Sequence, residues 1–561
     1  MKRILLFLYI CVATTFGAVA QSNNHNFETA KQLEIFNSLY RNLDLFYVDT
    51  LDAAHLVETA IGAMLDEIDP YTEYYRESDT DDLRTLTTGK YAGIGSPIMW
   101  RKECDRCVFH NPYRGMPADK AGVRSGDIIM KIDGVDVGVC GSQVKNDYTT
   151  GITSRLRGEP GTTFSLTVKR PGHEGLVTMK ITRQNIKRPS VPYFGILDED
   201  KTAGRKMGYV LVESFTEDTA ADFQSAFRKL KEQGAERLIV DLRSNGGGLM
   251  QQAVEVVNTF IPKGKLVVET RGREEDDCST YKTTHEPLDT DIPIVILVDY
   301  GTASASEITS GSLQDYDRAV IVGRRTYGKG LVQSPRQLPY NTVMKFTTSK
   351  YYIPSGRCVQ ARDFKHRNAD GQPTHMPDSL CKTFKTMAGR LVKDGGGITP
   401  DVVTKLDSLP TLLSYLEYSD EFFDYCVRYQ NSHTAIAPAR DFRLTDAEFE
   451  DFKQYMADSK FTYDNRARSA LDVVRRVAAQ EGYSESAKAE LDALEAKLSR
   501  NLTDDLQVWE KEVRRLVEST IVGYFYYDEG VVEYTLQDDP DLDEAVSILN
   551  DLQRYNKILK K

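Results

Sequence analysis

The sequence predicts an α/β protein of several domains, with helices at both ends of the chain. Its 561 residues exceed a single core, because domains usually hold about 100–200 residues. Short β-rich runs separated by turns occupy residues 89–182, whereas strands alternate with helices over 205–335. Beyond residue 406 the pattern is helical and highly charged. We therefore expect a small β domain, an α/β unit and helical flanks.

The first twenty residues have the three parts of a secretory signal peptide. Lys2 and Arg3 precede an apolar run over residues 4–16, and small residues at 18–20 precede Gln21. The apolar run is too short to span a bilayer stably. We predict cleavage after residue 20, secretion across a membrane and no stable membrane insertion afterwards. A retained N-terminal anchor is the alternative.

Composition excludes several classes of protein. The chain is 40% hydrophobic and 10% aromatic, which is typical of a globular protein and not of a disordered, collagen-like or rod-like one. Its 71 Lys and Arg against 83 Asp and Glu give a net charge of −12. Binding to nucleic acid or to anionic lipid needs a basic face, so this balance argues against both partners.

The cysteines do not predict a metal site. Cys104 and Cys107 have CxxC spacing, but no second CxxC or HxxxH follows to complete four zinc ligands. A local disulfide and plain surface thiols both stay open for this pair. We expect neither a metal nor a cofactor.

The helices and strands follow from apolar periodicity. Two helices are predicted over residues 27–68, as a docking or lid element. The α/β unit has strands at 208–212, 238–240, 294–298 and 319–322, with helices between them. Apolar faces define these helices, at Phe223, Ala226, Phe227 and Leu230 and at Ala253, Val256, Val257 and Phe260, and a third begins near Ala303. We expect a sheet covered by helices.

A serine lies where one buried strand turns into a helix. The sequence DYGTASASE at residues 299–307 places Ser304 at the carboxyl edge of the sheet, beside a helix N-terminus. Small neighbours allow a substrate backbone to approach, and the exposed amides stabilise a developing negative charge. When it is taken alone, the same serine is better explained as an ordinary helix cap.

A lysine follows the next strand, in the sequence TYGKGLVQ at residues 326–333. Lys329 lies between two glycines and can reach towards the serine, and burial there would disfavour its charged form. Lys329 is therefore a candidate general base. Gln333 lies four residues further on and could hold the amine by a hydrogen bond without adding a charge.

A glycine loop, DLRSNGGG at residues 241–248, follows another strand. It lacks the lysine and the Ser or Thr of a phosphate-binding P-loop. We interpret it as half of an oxyanion hole, in which one amide from Gly247 or Gly248 and the amide of Ala305 bind a carbonyl oxygen. The alternative is a tight turn that needs positive φ.

These three motifs, in their order along the chain of glycine loop, serine turn and lysine loop, resemble the signature of the carboxy-terminal processing (tail-specific) serine peptidases. The resemblance implies a crotonase-like α/β peptidase core and a Ser/Lys dyad, assisted by Gln, that cleaves proteins near their C-termini. It assigns the nucleophile to Ser304 rather than Ser306, the base to Lys329 and the assisting residue to Gln333.

The β domain resembles the PDZ domain of the same family. The sequence YAGIG stands where the carboxylate-binding loop belongs, which makes Tyr91, Ala92, Gly93, Ile94 and Gly95 the candidate peptide-binding residues. Such a glycine loop offers amides to a terminal carboxylate while the peptide adds as a strand to a sheet edge. The implied partners are protein or peptide substrates with accessible C-terminal tails.

The resemblance covers residues 27–405, and the signal-peptide and helical patterns on either side of it complete a domain plan. The plan has a signal peptide at 1–20, an N-terminal helical segment at 21–86, an inserted PDZ-like domain at 87–187, a peptidase core at 188–405 and a C-terminal helical domain at 406–561. Within the core, an insert at about 361–395 separates two of the family's motifs, as a gate or as a surface loop. The resemblance assigns no role to the C-terminal domain, and a homo-oligomer or an adaptor partner stays open.

Two functions remain, from different classes. The first is a secreted serine endopeptidase of the bacterial periplasm or cell envelope, which works through an acyl-enzyme. The second is a secreted PDZ-containing adaptor that binds C-terminal peptides without cleaving them. Ser304, Lys329 and Gln333 occurring together favour the peptidase, because a binder has no need of a neutral buried lysine. The pair Ser279 and Lys282 also fits SxxK but lacks the partner motifs of that enzyme class, so we take it as chance.

Overall fold

The structure, a computed structural model, describes residues 25–77, 90–368, 371–377, 379–405, 410–498 and 500–561. The predicted signal peptide lies outside these residues. The chain divides into two units, Met1–Glu77 with Gln333–Phe346 and Ser78–Val332 with Thr347–Lys561. Among the helices of the described ranges, none combines the length and apolarity that a membrane span needs.

The first unit contains both helices predicted over residues 27–68. They are α1 (residues 25–46) and α2 (Ala53–Asp66), and the Asp52 side chain caps α2 by accepting from the His55 amide at 3.1 Å. A short strand, β1 (Glu73–Tyr75), pairs antiparallel with the beginning of β18 (Val343–Tyr352). The strand β17 (Leu331–Gln337) pairs with β18 as well.

The PDZ-like region is a twisted antiparallel sheet with one helix packed beside its edge strand. The sheet order is β3-β4-β5-β7-β8, with β6 beside β5, while β2 pairs separately with β9. The elements are β2 (Lys90–Gly93), β3 (Ile98–Arg101), β4 (Arg106–Phe109), α3 (Pro117–Lys120), β5 (Ile128–Ile132), β6 (Val135–Asp136), α4 (Lys145–Leu156), β7 (Thr163–Lys169), β8 (Val177–Thr182) and β9 (Gln184–Lys187). Phe109, Ile129 and Leu166 pack in its core against Ile152 and Leu156 of α4.

The α/β unit is built on a six-stranded sheet with the order β10-β11-β12-β15-β16-β23. Its elements are β10 (Tyr193–Ile196), β11 (Met207–Leu211), α5 (Thr219–Glu232), β12 (Arg237–Asp241), α6 (Met250–Asn258), β15 (Ile294–Val298), α7 (Ala305–Asp315), β16 (Ala319–Gly323) and β23 (Val402–Val403). All strands are parallel except β10. Every residue of β12, β15 and β16 is buried, because helices cover both faces of the sheet.

The α/β region also contains a second sheet and two hairpins. The strands β13 (Leu266–Gly272) and β14 (Ser279–Lys282) flank a 3₁₀ turn at Glu275–Asp277, and β13 also pairs with the end of β18. The predicted insert forms two hairpins, of β19 (Arg362–Arg367) with β20 (Pro373–His375) and of β21 (Thr383–Lys385) with β22 (Leu391–Lys393).

The C-terminal region is helical, as predicted. Its helices are α8 (Thr411–Glu417), α9 (Asp420–Ser432), α10 (Asp446–Asp458), α11 (Arg466–Gln480), α12 (Lys488–Leu498), α13 (Leu502–Val508), α14 (Glu510–Thr535), α15 (Pro540–Asn550) and α16 (Leu552–Leu559), with a 3₁₀ turn at Leu536–Asp538. The last two helices, α15 and α16, pack on the six-stranded sheet, whereas most of the other C-terminal helices share a separate buried cluster. Leu542 and Leu549 of α15 and Leu559 of α16 are fully buried against Ile239 and Val295 of the sheet. The final helices thus cover the face opposite α5, α6 and α7.

Candidate active site

Three neighbouring parallel strands end at one edge of the six-stranded sheet. In register, Asp241 of β12 lies opposite Leu297 of β15, and Val298 lies opposite Gly323 of β16. The three sequence motifs follow these strands directly, so the glycine loop, the serine turn and the lysine loop all leave from the same edge. This is the usual position of a ligand site in an open parallel sheet.

Ser304 immediately precedes α7 in a strained conformation. Its φ of 57° and ψ of −116° are rare for a residue with a side chain, and such strain is characteristic of functional turns. Ser304 is half-exposed, whereas every residue of α7 is buried. The hydroxyl of Ser306 instead donates to the Asn245 carbonyl at 3.0 Å inside the protein. Ser304 is therefore the more accessible of the two hydroxyls.

A buried glutamate joins the serine turn to the lysine loop. One carboxylate oxygen of Glu307 accepts from the amides of Ser304 at 2.9 Å and Lys329 at 2.8 Å. The other accepts from the Gly328 amide at 2.8 Å and the Thr326 hydroxyl at 2.5 Å. Burial raises the pKa of Glu307 to about 7, although these four donors favour the ionised form. The backbone segments of Ser304 and Lys329 are thus bound to a single carboxylate.

A tyrosine hydroxyl links the same two segments from their carbonyl groups. The hydroxyl of Tyr351 lies 2.7 Å from the Lys329 carbonyl oxygen and 3.2 Å from that of Ser304. Tyr351 belongs to β18 and is only 1% exposed. The lysine loop is also held by its neighbours, because the Tyr327 amide donates to the Thr302 carbonyl and the Gly330 amide to the Gln360 side chain.

The glycine loop packs directly against the serine. At Gly247, whose φ is +96°, an added Cβ would lie 2.7 Å from the Cβ of Ser304. Gly248 has a φ of +141°, and a Cβ there would overlap the Phe215 carbonyl. The Gly247 amide donates to the Asn245 side chain at 2.9 Å. Of the two predicted oxyanion donors in this loop, the Gly248 amide is therefore the better candidate.

The second predicted donor, the Ala305 amide, lies in the first turn of α7, where amides have no acceptor within their own helix. Gln333 lies in β17 and belongs to the first of the two units, so its hydrogen bond to Lys329 stays a prediction.

The predicted carboxylate-binding segment spans β2 and the turn after it. Two of its carbonyls face inward, since those of Ile94 and Gly95 each accept a hydrogen bond at 2.8 Å, from the amides of Ala118 and Tyr113. Gly95 has a φ of +73°, and a Cβ there would lie 2.5 Å from that of Met116. The turn leads into β3 at the edge of its sheet, with α4 beside it. An edge strand beside a helix is the geometry that an added peptide strand uses.

Two residues that link Ser304 to Lys329 were missed by sequence reasoning. Glu307 stands three positions after Ser304, where a glutamate commonly completes a capping box, and this spacing was the available signal. Tyr351 carried no signal, because a tyrosine in a strand is ordinary.

Comparisons with known proteins agree with this architecture. Residues 206–366 match peptidase family S41, residues 108–170 match a PDZ domain, and residues 412–549 match the C-terminal helical domain of a probable PDZ-protease. These matches and the fold define a serine peptidase that carries a PDZ domain and a C-terminal helical domain.

Processing proteases are among the similar proteins. A carboxy-terminal-processing protease of Bartonella bacilliformis is 34% identical over 366 residues, which is 64% of this chain and 80% of that protein. A probable CtpA-like serine protease of Staphylococcus aureus is 33% identical over 63% of this chain and 68% of its own. The solved structure of a photosystem II D1 C-terminal processing protease is 27% identical and has a TM-score of 0.35, with 67% of this chain and 94% of that chain covered. The chain belongs to the carboxy-terminal-processing proteases of peptidase family S41, so the predicted resemblance is confirmed.

Proposed function

We propose that this chain is an endopeptidase that cleaves protein substrates near their C-termini, with Ser304 as nucleophile and Lys329 as general base. The observation that carries the proposal is the double link between these residues. Glu307 binds the amides of both, and the Tyr351 hydroxyl lies against the carbonyls of both. Two independent hydrogen-bonding groups thereby fix the separation of the two backbone segments, as a nucleophile and its base require.

The reaction proceeds in two steps. Lys329, in its neutral form, takes the hydroxyl proton of Ser304 while the oxygen attacks the scissile carbonyl. The amides of Gly248 and Ala305 bind the oxyanion, and the peptide nitrogen leaves with the proton from Lys329. Water then loses a proton to the Lys329 amine and attacks the acyl-enzyme, and the Ser304 oxygen leaves with that proton, which regenerates the hydroxyl and the neutral lysine. Gln333 orients the amine, and no metal or cofactor takes part.

A serine-directed fluorophosphonate tests this chemistry without any knowledge of the substrate. We expect the probe to add to Ser304, as located by peptide mass, because this residue is only partly buried and Lys329 would activate its hydroxyl. The same probe should leave Lys329→Ala unlabelled, because an unactivated serine is a weak nucleophile. Equal labelling of both proteins, or labelling at another serine, would mean that Lys329 does not activate Ser304. A folded wild-type chain that binds C-terminal peptides but resists the probe would instead be the adaptor.

We also propose that the PDZ-like domain recruits the substrate C-terminus through residues 91–95 and the edge strand β3. The inward carbonyls of Ile94 and Gly95 and the position of β3 beside α4 support this role. The substrates would then be proteins with accessible C-terminal tails.

Amidation of the substrate's C-terminus is expected to weaken recruitment. The amide removes the negative charge that the loop amides would bind, so we expect kcat/KM to fall by about tenfold, mainly through KM. Two peptides that differ only in this group give the measurement. An N-terminally acetylated peptide, altered at the other end, is the control and should react at the original rate. Equal rates for the acid and the amide would rule out carboxylate recognition.

Secretion and the domain limits are part of the same proposal. The charged, apolar and small-residue parts of residues 1–20 support export to the periplasm or cell envelope. The mature chain would begin at Gln21, with the limits 21–86, 87–187, 188–405 and 406–561. N-terminal sequencing of the protein from its native host is the direct check, and a chain that keeps its first twenty residues would favour the anchor.

A further inference from the structure

Two arginines at the start of the catalytic loops bind carboxylates that come from the C-terminal helical region. Arg243 lies within the glycine loop, and its guanidinium donates to Asp539 at 2.6 and 3.0 Å and to Asp541 at 3.2 Å. Arg324 is the first residue after β16, five positions before Lys329, and donates to Asp541 at 2.9 and 3.1 Å. Asp541 therefore contacts both loops, whereas Asp539 contacts the glycine loop alone.

The two carboxylates are held rigidly. Asp539 caps α15, because its side chain accepts from the amides of Asp541 at 3.0 Å and Leu542 at 3.1 Å. Their side chains are only 11% and 6% exposed. Since α15 packs on the sheet through fully buried leucines, the carboxylates have a fixed position relative to the strands that carry the loops.

The partners of Arg243 are arranged for planar recognition. Its Nε donates to Asp241 at 3.0 Å, and the Tyr209 hydroxyl donates to the same carboxylate at 2.7 Å. Burial raises the pKa of Asp539, but the hydrogen bonds and charge of Arg243 outweigh it and hold that pKa below its ordinary value. Asp539 is consequently ionised at neutral pH. The cluster holds three carboxylates, of Asp241, Asp539 and Asp541, against the two guanidinium groups.

We propose that Asp539 and Asp541 are positioning residues of the peptidase. Through Arg243 and Arg324 they hold the glycine loop and the lysine loop in a fixed position relative to each other. Oxyanion donors and a base must be placed to within about 0.5 Å, and a displacement of 1 Å costs about 100-fold in rate. The start of α15 is on this account a support of the catalytic loops. The catalytic half of the inference depends on the proposed function, whereas the loop-holding half does not.

Conservative substitutions separate positioning from folding. Asp539→Asn keeps a good capping residue, and Asp541→Asn keeps the side-chain size, so α15 should persist in both. The matched control is Asp543→Asn on the same helix, because Asp543 is 57% exposed and bonds Lys201 at 2.7 Å, away from both arginines. Once the wild type has been shown to react with the fluorophosphonate, peptide cleavage is measured for each variant. We expect kcat to fall about tenfold or more in both Asp→Asn variants, with KM within about twofold of the wild-type value. The control should match the wild type.

Amide hydrogen exchange, measured in the Ser304→Ala background, reports on the loops without any need for activity. Asp541→Asn should raise exchange about tenfold in residues 243–248 and in 324–330, Asp539→Asn only in 243–248, and Asp543→Asn in neither. Altered exchange in a chain that never reacts with the probe would uphold the positioning but not the proposed function. Unchanged exchange and unchanged kcat would overturn the inference, as would faster exchange spread evenly over the whole chain.

Discussion

Ser304→Ala is expected to abolish peptidase activity and leave the fold intact. Removing a nucleophile lowers kcat by about 10⁶-fold, because the remaining lysine and oxyanion donors have no attacking group to serve. Ser304 is the N-cap of α7, so its loss should change the free energy of unfolding by no more than about 2 kcal/mol, the upper cost of a lost helix cap. Peptide cleavage and urea unfolding, measured on the same preparation, give both values.

Ser279→Ala is the control for this substitution. Ser279 begins a fortuitous SxxK sequence in β14 and is exposed, so its loss should change neither quantity. A Ser304→Ala protein that cleaves within tenfold of the wild-type rate would assign the nucleophile elsewhere. A loss of stability well above the cost of a helix cap would mean that the hydroxyl is needed for folding.

Lys329→Arg is expected to lose activity although it keeps the positive charge. A guanidinium stays protonated at any pH at which the protein is folded, so it cannot accept the Ser304 proton. We expect kcat to fall by about 10⁴-fold, the upper range for a general base, and raising the pH should restore nothing. The wild-type rate, by contrast, should rise with pH until the lysine is neutral. Rates of cleavage from pH 6 to 9 for both proteins make this comparison.

Lys282→Arg is the matched control. Lys282 is exposed in β14, and only its SxxK spacing from Ser279 suggests a catalytic pair. Its pH profile should overlay that of the wild type. If Lys329→Arg retained more than a tenth of the wild-type rate, Lys329 would contribute charge and not proton transfer, and the dyad would be wrong.

The position of the catalytic motifs was predictable because parallel strands impose it. Buried runs at 238–240, 294–298 and 319–322 are short, apolar and separated by helices, so their ends had to meet at one edge of a sheet. The hydrogen bonds that join the motifs were harder to predict from the sequence. The Glu307 carboxylate reaches four donors only after the lysine loop has folded over α7, and Tyr351 arrives from a strand of the other sheet.

The choice between the two glycine amides also required coordinates. The Gly247 amide donates to the Asn245 side chain and is therefore not available to an oxyanion. Asn245 is visible in the sequence, but only the geometry of the turn decides which of the two neighbouring amides its side chain accepts from.

The helical domain shows the clearest limit of the sequence argument. Its charged helices could be recognised from periodicity, but nothing local distinguishes α15 and α16 from those before them. Their apolar stripe covers the sheet across more than two hundred residues of chain, since Leu549 belongs to the same buried cluster as Ile239 and Val295. Packing between elements so far apart in the chain depends on which face of the sheet the other helices leave uncovered. That face is defined only once the core has assembled.

The most direct test of the account is the turnover of an unstructured protein with an apolar C-terminal tail by the mature chain, beside Ser304→Ala, with intact mass as the readout. We predict that the wild type yields a shortened chain and a released C-terminal fragment whose masses sum to substrate plus one water, and that the variant yields neither. Cleavage by both proteins, or binding of the tail without cleavage by either, would contradict the assignment of this chain as a Ser304/Lys329 processing peptidase.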